Sequence, residues 1–597
     1  MRPNNRPSSQ PTPNYQPLQR IQWWYVLLAV VAAVCLVRLF YLQVIRHDYY
    51  QKAALRGQLK QYEIPAERGI IVAHAGDNTV PIVLNETLYT LFADPVYVKD
   101  PADSARKLAA ITKSSPGDYE KLLKTTGTRY VILAKKLNRD QKARVDKLAI
   151  KGIGAREATF RTYPDGQMAA QLLGFVNDDG EGKYGLEEAL NDKLGGTPGQ
   201  LKAITDSQGV PLPANKDNLV QSAVNGQRVL LTIDVGIQQQ AEDILASAVE
   251  STKSKSGSVV VLDAKSGAVR AMANFPTYNP KDYAAVKDAD LFNNASVSDP
   301  IEVGSIMKTL TTAAALDAGA VDKNQTYFDP SFYKIDGATV RNVEEDGGPG
   351  TKSVRDILKL SLNTGATWLL MQMGGGKLNE QGRMVWHEYL TNHYNLGKKT
   401  GIEQGFEAEG SVPDPKEGFG LNIQYANTTF GQGLTATTLQ MAAAMVAASN
   451  GGTYYKPHLV EAVGPDSGNM KKIKPVVVRQ NVVKPDVSQT LREMMEYTYA
   501  QNYRVYGGTS LRPEFAIGGK TGTAEITKPG GGYYDDRYNG TYLGYVGGDT
   551  PEYVIAIKMT EPKIRGYAGA QAAAPVFIKL VNTLIDSHNV SPKSASE

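Results

Sequence analysis

Three short patterns in this 597-residue chain bring hydroxyl, amine and amide groups together at spacings that suit acyl transfer. The first is Ser305-Ile306-Met307-Lys308. Val303-Gly304 breaks the chain just before it, and the apolar spacing that follows Lys308 continues as a helix, which predicts Ser305 in a first helical turn. Residues three apart share a helix face, so the Lys308 amine can reach the Ser305 hydroxyl, and the positive end of the helix dipole favours a developing alkoxide. Lys308 can take that proton only if its own is given up easily, which burial and a second cation such as Lys520 would promote. The second pattern, Ser361-Leu362-Asn363, offers a relay hydroxyl and an amide able to position Lys308 and a substrate backbone. In the third, Lys520-Thr521-Gly522 and then Thr523 follow the apolar Ala516-Ile517-Gly518-Gly519, as on a strand whose edge faces a cleft. Glycines 518, 519 and 522 would let a substrate backbone approach. Any one pattern alone reads equally well as a solvated helix face or loop. All three in this order, each in fitting context, rarely coincide by chance.

Regular elements must hold these groups in place. Strand VLLTID at 229–234 and a helix from Val235 open a unit that continues with a hairpin around Lys265-Ser266-Gly267 and ends with strands at 541–548 and 553–562. The expectation is a sheet with helices packed on it over residues 226–585, followed by a polar tail at 586–597. Residues 46–225 read as short mixed strands and helices with no reactive cluster: Ser115-Pro116 begins a helix, 129–133 a strand, and Asn138 caps another helix.

Upstream, residues 1–22 are rich in Pro, Asn, Ser, Gln and Arg and should stay disordered. The run from Trp23 to Ile45 is apolar enough and long enough to cross a bilayer, broken only by Arg38 and Gln43 near its far end. Arg2, Arg6 and Arg20 precede it without any acidic residue, which places the amino terminus in the cytoplasm. Cys35 does not fit a lipid-modified cysteine, because Val34 stands where a small residue is needed and the apolar run continues beyond it. With 65 Lys and Arg against 61 Asp and Glu, the near-neutral balance argues against nucleic-acid binding. A single cysteine and six scattered histidines argue against a metal site and a histidine-based triad. His387 and His393 read as surface or interface residues, Glu344-Glu345-Asp346 as a solvated loop, and the 32 tyrosines as suited to a wet, polysaccharide-facing surface.

The three patterns together resemble the serine penicillin-recognising enzymes. The wider chain, over most of residues 23–580, is similar to the class B penicillin-binding proteins, which are peptidoglycan D,D-transpeptidases. The likeness runs through RLFYLQVI leaving the apolar span, Arg68-Gly69-Ile70, residues 161–187, 271–280 and 429–442, GGKTGTAE at 518–525 and AAAPVF at 572–577. It implies an α/β (α+β) transpeptidase domain of the penicillin-binding/β-lactamase type at 226–585, an elongated mixed α+β pedestal at 46–225 and a transmembrane anchor at 23–45. It also implies that Ser305 is acylated, Lys308 is the general base, and Ser361 and Asn363 assist proton transfer and hold the donor peptide. Lys520 and Thr521, with Gly522 and Thr523, would bind its carboxylate, and the N–H groups of Ser305 and Thr523 would form an oxyanion hole. No cofactor or metal is implied. The implied partners are stem peptides on lipid-linked nascent strands, β-lactams, a SEDS-type glycosyltransferase and other cell-wall synthesis proteins at the bacterial cytoplasmic membrane, with a lean toward division over elongation. The same patterns also serve D,D-carboxypeptidases and β-lactam sensors, but an anchor and a pedestal without a glycosyltransferase motif suit the transpeptidase. Val303 stands where the family usually has proline, and Leu362 where it often has a small polar residue. Both departures are expected to shift rate or drug affinity without loss of function.

Overall fold

The computed structural model describes residues 17–50, 59–204, 219–342, 348–465, 468–587 and 589–594. Most of the expected amino-terminal tail and the Glu344-Glu345-Asp346 loop lie outside these residues. Pro17–Phe40 forms an α-helix that continues as one wider π-helical turn, Tyr41–Ile45. Its stretch Ile21–Ile45 is the one helix among the described residues long and apolar enough to cross a membrane, and its large apolar side chains are exposed.

The chain divides into two compact units. One, drawn from the stretch up to Ala66 together with Thr197–Val224, contains that helix and a three-stranded antiparallel sheet of Leu59–Ile64, Gly199–Ile204 and Leu219–Gln221. The other comprises Glu67–Gly196 and Asn225–Glu597.

In the larger unit, Ile71–Ala75 pairs with the long strand Asn78–Ala93 on one side and in parallel with Arg228–Asp234 on the other, and Arg228–Asp234 in turn meets Val460–Gly464. Next to this sheet, the fully buried Glu187 carboxylate accepts from Arg68 Nε and from Arg161 Nε, each at 2.7 Å. Arg68 also donates to Asn191 Oδ1 and Arg161 to Asn85 Oδ1. A buried charge is tolerable only when it is paired in this way. Asn138 and Gln141 form the reciprocal cap expected at the helix Arg139–Lys147.

The second sheet carries Lys520, Thr521 and Gly522. Its strands are β1 (Ser256–Asp263), β2 (Val269–Phe275), β3 (Ala516–Thr527), β4 (Tyr533–Gly547) and β5 (Pro551–Thr560), in the antiparallel order β2-β1-β5-β4-β3. Both faces are covered at its centre, so β1 and β5 carry near-continuous apolar runs, Val259–Leu262 and Val554–Ile557. Val259 and Val261 of β1 face one core with α1 (Val235–Thr252) and the carboxyl-terminal helix Ala574–Asp586. Val260 and Leu262 face the other core with α2 (Met307–Asp317), α3 (Asn363–Met373) and α4 (Thr438–Ser449). α5 (Pro485–Asn502) and α6, the Ala574–Asp586 helix, complete the layers.

The tyrosines depart from the sequence reading. Tyr394, Tyr425, Tyr454, Tyr542 and Tyr545 are among the largest fully buried side chains, not a wet surface. Each ring buries a large apolar area, and Tyr394 and Tyr545 donate their hydroxyls to the carbonyls of Leu310 and Arg492. His387 and His393 are also drawn inward: they bond the Tyr425 hydroxyl at 2.9 Å and the Val482 carbonyl at 2.6 Å.

Candidate active site

Ser305 sits in a 3₁₀ turn, Gly304–Ile306, immediately before α2 rather than inside the α-helix itself. Gly304 has φ 65°, in the left-handed region, which turns the chain sharply into Ser305. Six residues of lead-in are held from all sides. Lys558 donates to Asp299 Oδ2 at 2.6 Å, Ile301 exchanges both backbone bonds with Ala436, and Glu302 Oε1 accepts from Gly433 N–H and the Tyr533 hydroxyl. Thr541 donates to Val303 O at 2.8 Å, and Gly304 N–H donates to Gly431 O at 3.0 Å. Val303 itself is buried in the core.

Lys308 is fully buried, and its Nζ lies 2.9 Å from Ser305 Oγ and 3.1 Å from Ser361 Oγ, with a further short bond to Ser361 O. Lys520, 2% exposed on edge strand β3, places its Nζ 3.0 Å from the same Ser361 Oγ and 2.9 Å from Thr521 O. Ser361 thus stands between the two amines. Its φ of 59° is costly for a residue with a Cβ and turns the chain between the helices Val354–Lys359 and α3. Leu362 is completely buried. Asn363 begins α3 and donates from Nδ2 to Arg341 O at 3.1 Å.

The structure therefore brings Ser305, Lys308, Ser361 and Lys520 into one hydrogen-bonded set, with Thr521, Gly522 and Thr523 continuing along β3. Thr523 Oγ1 accepts from Gly569 N–H at 3.2 Å. The glycines of β3 have a different role from the one read in the sequence. A Cβ at Gly518 or Gly519 would lie 2.7 Å from the Tyr545 ring or 2.3 Å from the Tyr542 hydroxyl, so these positions admit the fold's own tyrosines rather than a substrate. At Gly522 it would lie 2.2 Å from Thr541 Oγ1 and 2.9 Å from Val303 O, which lets the β-sheet touch the lead-in to Ser305.

Burial pushes the Glu302 carboxyl above its usual range, partly offset by the Gly433 and Tyr533 bonds. Burial likewise lowers Lys558, against the pull of Asp299. Burial also pushes the Tyr506 hydroxyl up, partly offset by Thr521. Sequence reasoning missed Thr541 and Lys558, because each supports the site from more than two hundred residues beyond Ser305 and carries no local pattern; it gave no role to Tyr506, or to Gly431 within the stretch 429–442. Among the described residues, no group of three or more His, Cys, Asp or Glu is placed to hold a metal ion.

A serine hydroxyl beside a buried amine, next to an edge strand bearing Lys-Thr-Gly, on a five-stranded sheet with helices on both faces, defines the class, and the chain belongs to the penicillin-binding proteins. The penicillin binding protein transpeptidase domain family matches residues 257–582, and the penicillin-binding protein dimerisation domain matches 63–231. The chain is 31% identical to penicillin-binding protein PbpB of Mycolicibacterium smegmatis, over 94% of this chain and 89% of that protein. It is 27% identical to peptidoglycan D,D-transpeptidase FtsI of Escherichia coli, over 96% and 93%. The crystal structure of penicillin binding protein 3 from Mycobacterium tuberculosis, complexed with aztreonam, superposes with a TM-score of 0.67 at 26% identity, covering 89% of this chain and 98% of that one.

Proposed function

We propose that the protein is a peptidoglycan D,D-transpeptidase that forms a serine acyl-enzyme and is the target of β-lactams. The observation that carries this reading is Lys308 Nζ set between Ser305 Oγ and Ser361 Oγ, with Lys520 on the far side of Ser361. Ser305 Oγ attacks the carbonyl carbon of the penultimate D-Ala as its proton passes to neutral Lys308. The N–H groups of Ser305 and Thr523 receive the oxyanion, where one such donor is worth about 3 kcal/mol of barrier. The C–N bond then breaks, and the proton travels from Lys308 through Ser361 to the leaving nitrogen of D-Ala. In the second half, an amine from a neighbouring stem attacks the ester, its proton goes to the same base, and Ser305 recovers its own as the C–O bond breaks. The product is an amide cross-link. Lys520 and Thr521 take the donor carboxylate, Gly522 keeps β3 close to Ser305, and Asn363 holds the donor backbone.

The same reading assigns 23–45 as anchor, 46–225 as pedestal, 226–585 as the transpeptidase domain and the ends as polar tails. Arg2, Arg6 and Arg20 support a cytoplasmic amino terminus at the bacterial inner membrane. Anchor and pedestal together would meet a SEDS-type glycosyltransferase and other cell-wall synthesis proteins, in division rather than elongation. The test is Ser305→Ala: the variant should remain folded and membrane-bound yet form no covalent adduct with a fluorescent penicillin. A band of normal intensity on a denaturing gel would refute the assignment.

A further inference from the structure

A second frame holds Asn363 from outside the three patterns. Its Nδ2 bonds Arg341 O, and one residue further along each chain the contact is repeated: Thr364 N–H donates to Asn342 Oδ1 at 3.1 Å. Beneath both lies Asp329, completely buried at the end of the strand Thr326–Asp329. Its carboxylate accepts from the Thr364 hydroxyl at 2.8 and 2.9 Å, from Asn342 Nδ2 at 3.0 Å and from Ser331 N–H at 2.7 Å. Thr364 is itself fully buried. Three segments thus converge on one carboxylate: its own strand, the residue that follows the strand Ala338–Arg341, and the first turn of α3. None of the proton transfers above uses this group.

We propose that Asp329 is a positioning residue for the donor-peptide site, acting through Thr364 and Asn342 to fix the separation of Arg341 and Asn363 and so the direction of the Asn363 amide. The inference rests on the transpeptidase reading and deepens it. A satisfied core carboxylate with no such role would also fit the burial, but it would affect stability alone. The bond pattern argues for more, since the two side chains that Asp329 grips, Thr364 and Asn342, belong to the immediate neighbours of the two residues that make the Arg341–Asn363 contact.

The experiment uses the full-length protein and one acylamino β-lactam, with acylation resolved into apparent affinity and limiting rate. Thr364→Val and Asp329→Asn should each slow acylation by about tenfold or more, since small misplacements of a substrate-holding group cost that much. The loss should fall mainly on affinity, and Thr364→Ser, which keeps the hydroxyl, should restore it. In an Asn363→Ala background the same substitutions should cost less than about twofold more, because coupled residues are not additive. Variants that lose Tm but keep native acylation, or that slow it equally in the Asn363→Ala background, would overturn the inference. A native protein that penicillin fails to acylate would instead overturn the transpeptidase reading itself, and the inference with it.

Discussion

Ser361 Oγ touches both lysines, yet their two roles should separate under substitution. Lys308→Arg installs a guanidinium that cannot give up its proton and is too broad for the same buried site. Acylation should then fall by about two to three orders of magnitude, the worth of a general base. Lys520→Arg keeps the cation proposed to face the donor carboxylate and should act mainly on affinity. The measurement is the second-order acylation rate of both variants with one β-lactam; near-native acylation in Lys308→Arg would require another base. Glu302 gives a pH signature. Its folded pKa lies above the unfolded one, so its contribution to stability is full below the unfolded value and is lost as pH rises through the folded value. Glu302→Gln, which resembles the protonated form, should match the native Tm in mild acid and increasingly exceed it toward neutrality. Thermal melts from about pH 4 to about pH 8 decide this, and a gap that does not change with pH would count against it. At this scale much was legible: Ser305, Lys308, Ser361 and Lys520 were all named from spacing and resemblance. The lead-in clamps were not, because Thr541 and Lys558 lie more than two hundred residues from Ser305 and announce nothing locally.

Strand β3 shows how an element can be read correctly for an incorrect reason. Its edge position follows from the apolar run before Lys520, but its glycines answer to Tyr542, Tyr545 and Thr541, which only the register of β4 reveals. Gly522→Ala should therefore damage the site from inside the fold. The added methyl meets Thr541 Oγ1 and Val303 O, an overpacking that typically costs about 1–3 kcal/mol. Acylation should fall along with Tm, and a variant acylated at the native rate would show that the contact between β3 and the Ser305 lead-in is slack. Away from the sheet, the Arg68–Glu187–Arg161 network makes a separate prediction. Glu187→Ala leaves two guanidiniums buried without a counter-charge, a loss of about 3–5 kcal/mol readable in urea unfolding. The resemblance flagged both stretches that bear these residues, but no periodicity could have told that they meet around one carboxylate.

For the whole molecule, the proposed reading confines the chemistry to 226–585 and leaves the apolar helix only to place it. A soluble form beginning near Arg46 should react with penicillin yet fail to restore cross-linking in a strain lacking the native gene; complementation by that form would remove the need for a membrane partner. A fluorescent fusion should gather at the septum, and purely lateral signal would contradict the division assignment. The alternation of strands and helices made the fold class legible, whereas the order β2-β1-β5-β4-β3 was not, because β1 is closed by a strand from the far end of the sequence. That closure has a consequence for the time at which activity arises. Ser256 pairs with Thr560 and Asp263 with Tyr553, so the first strand of the sheet waits for the last. Such long-range pairing makes folding slow and late. On the proposed orientation the catalytic unit is exported, and a chain whose Ser305 has already emerged still lacks the cleft around it. Cross-linking power, and penicillin sensitivity with it, should arise in a single step near the end of translocation and not build up as the polypeptide appears.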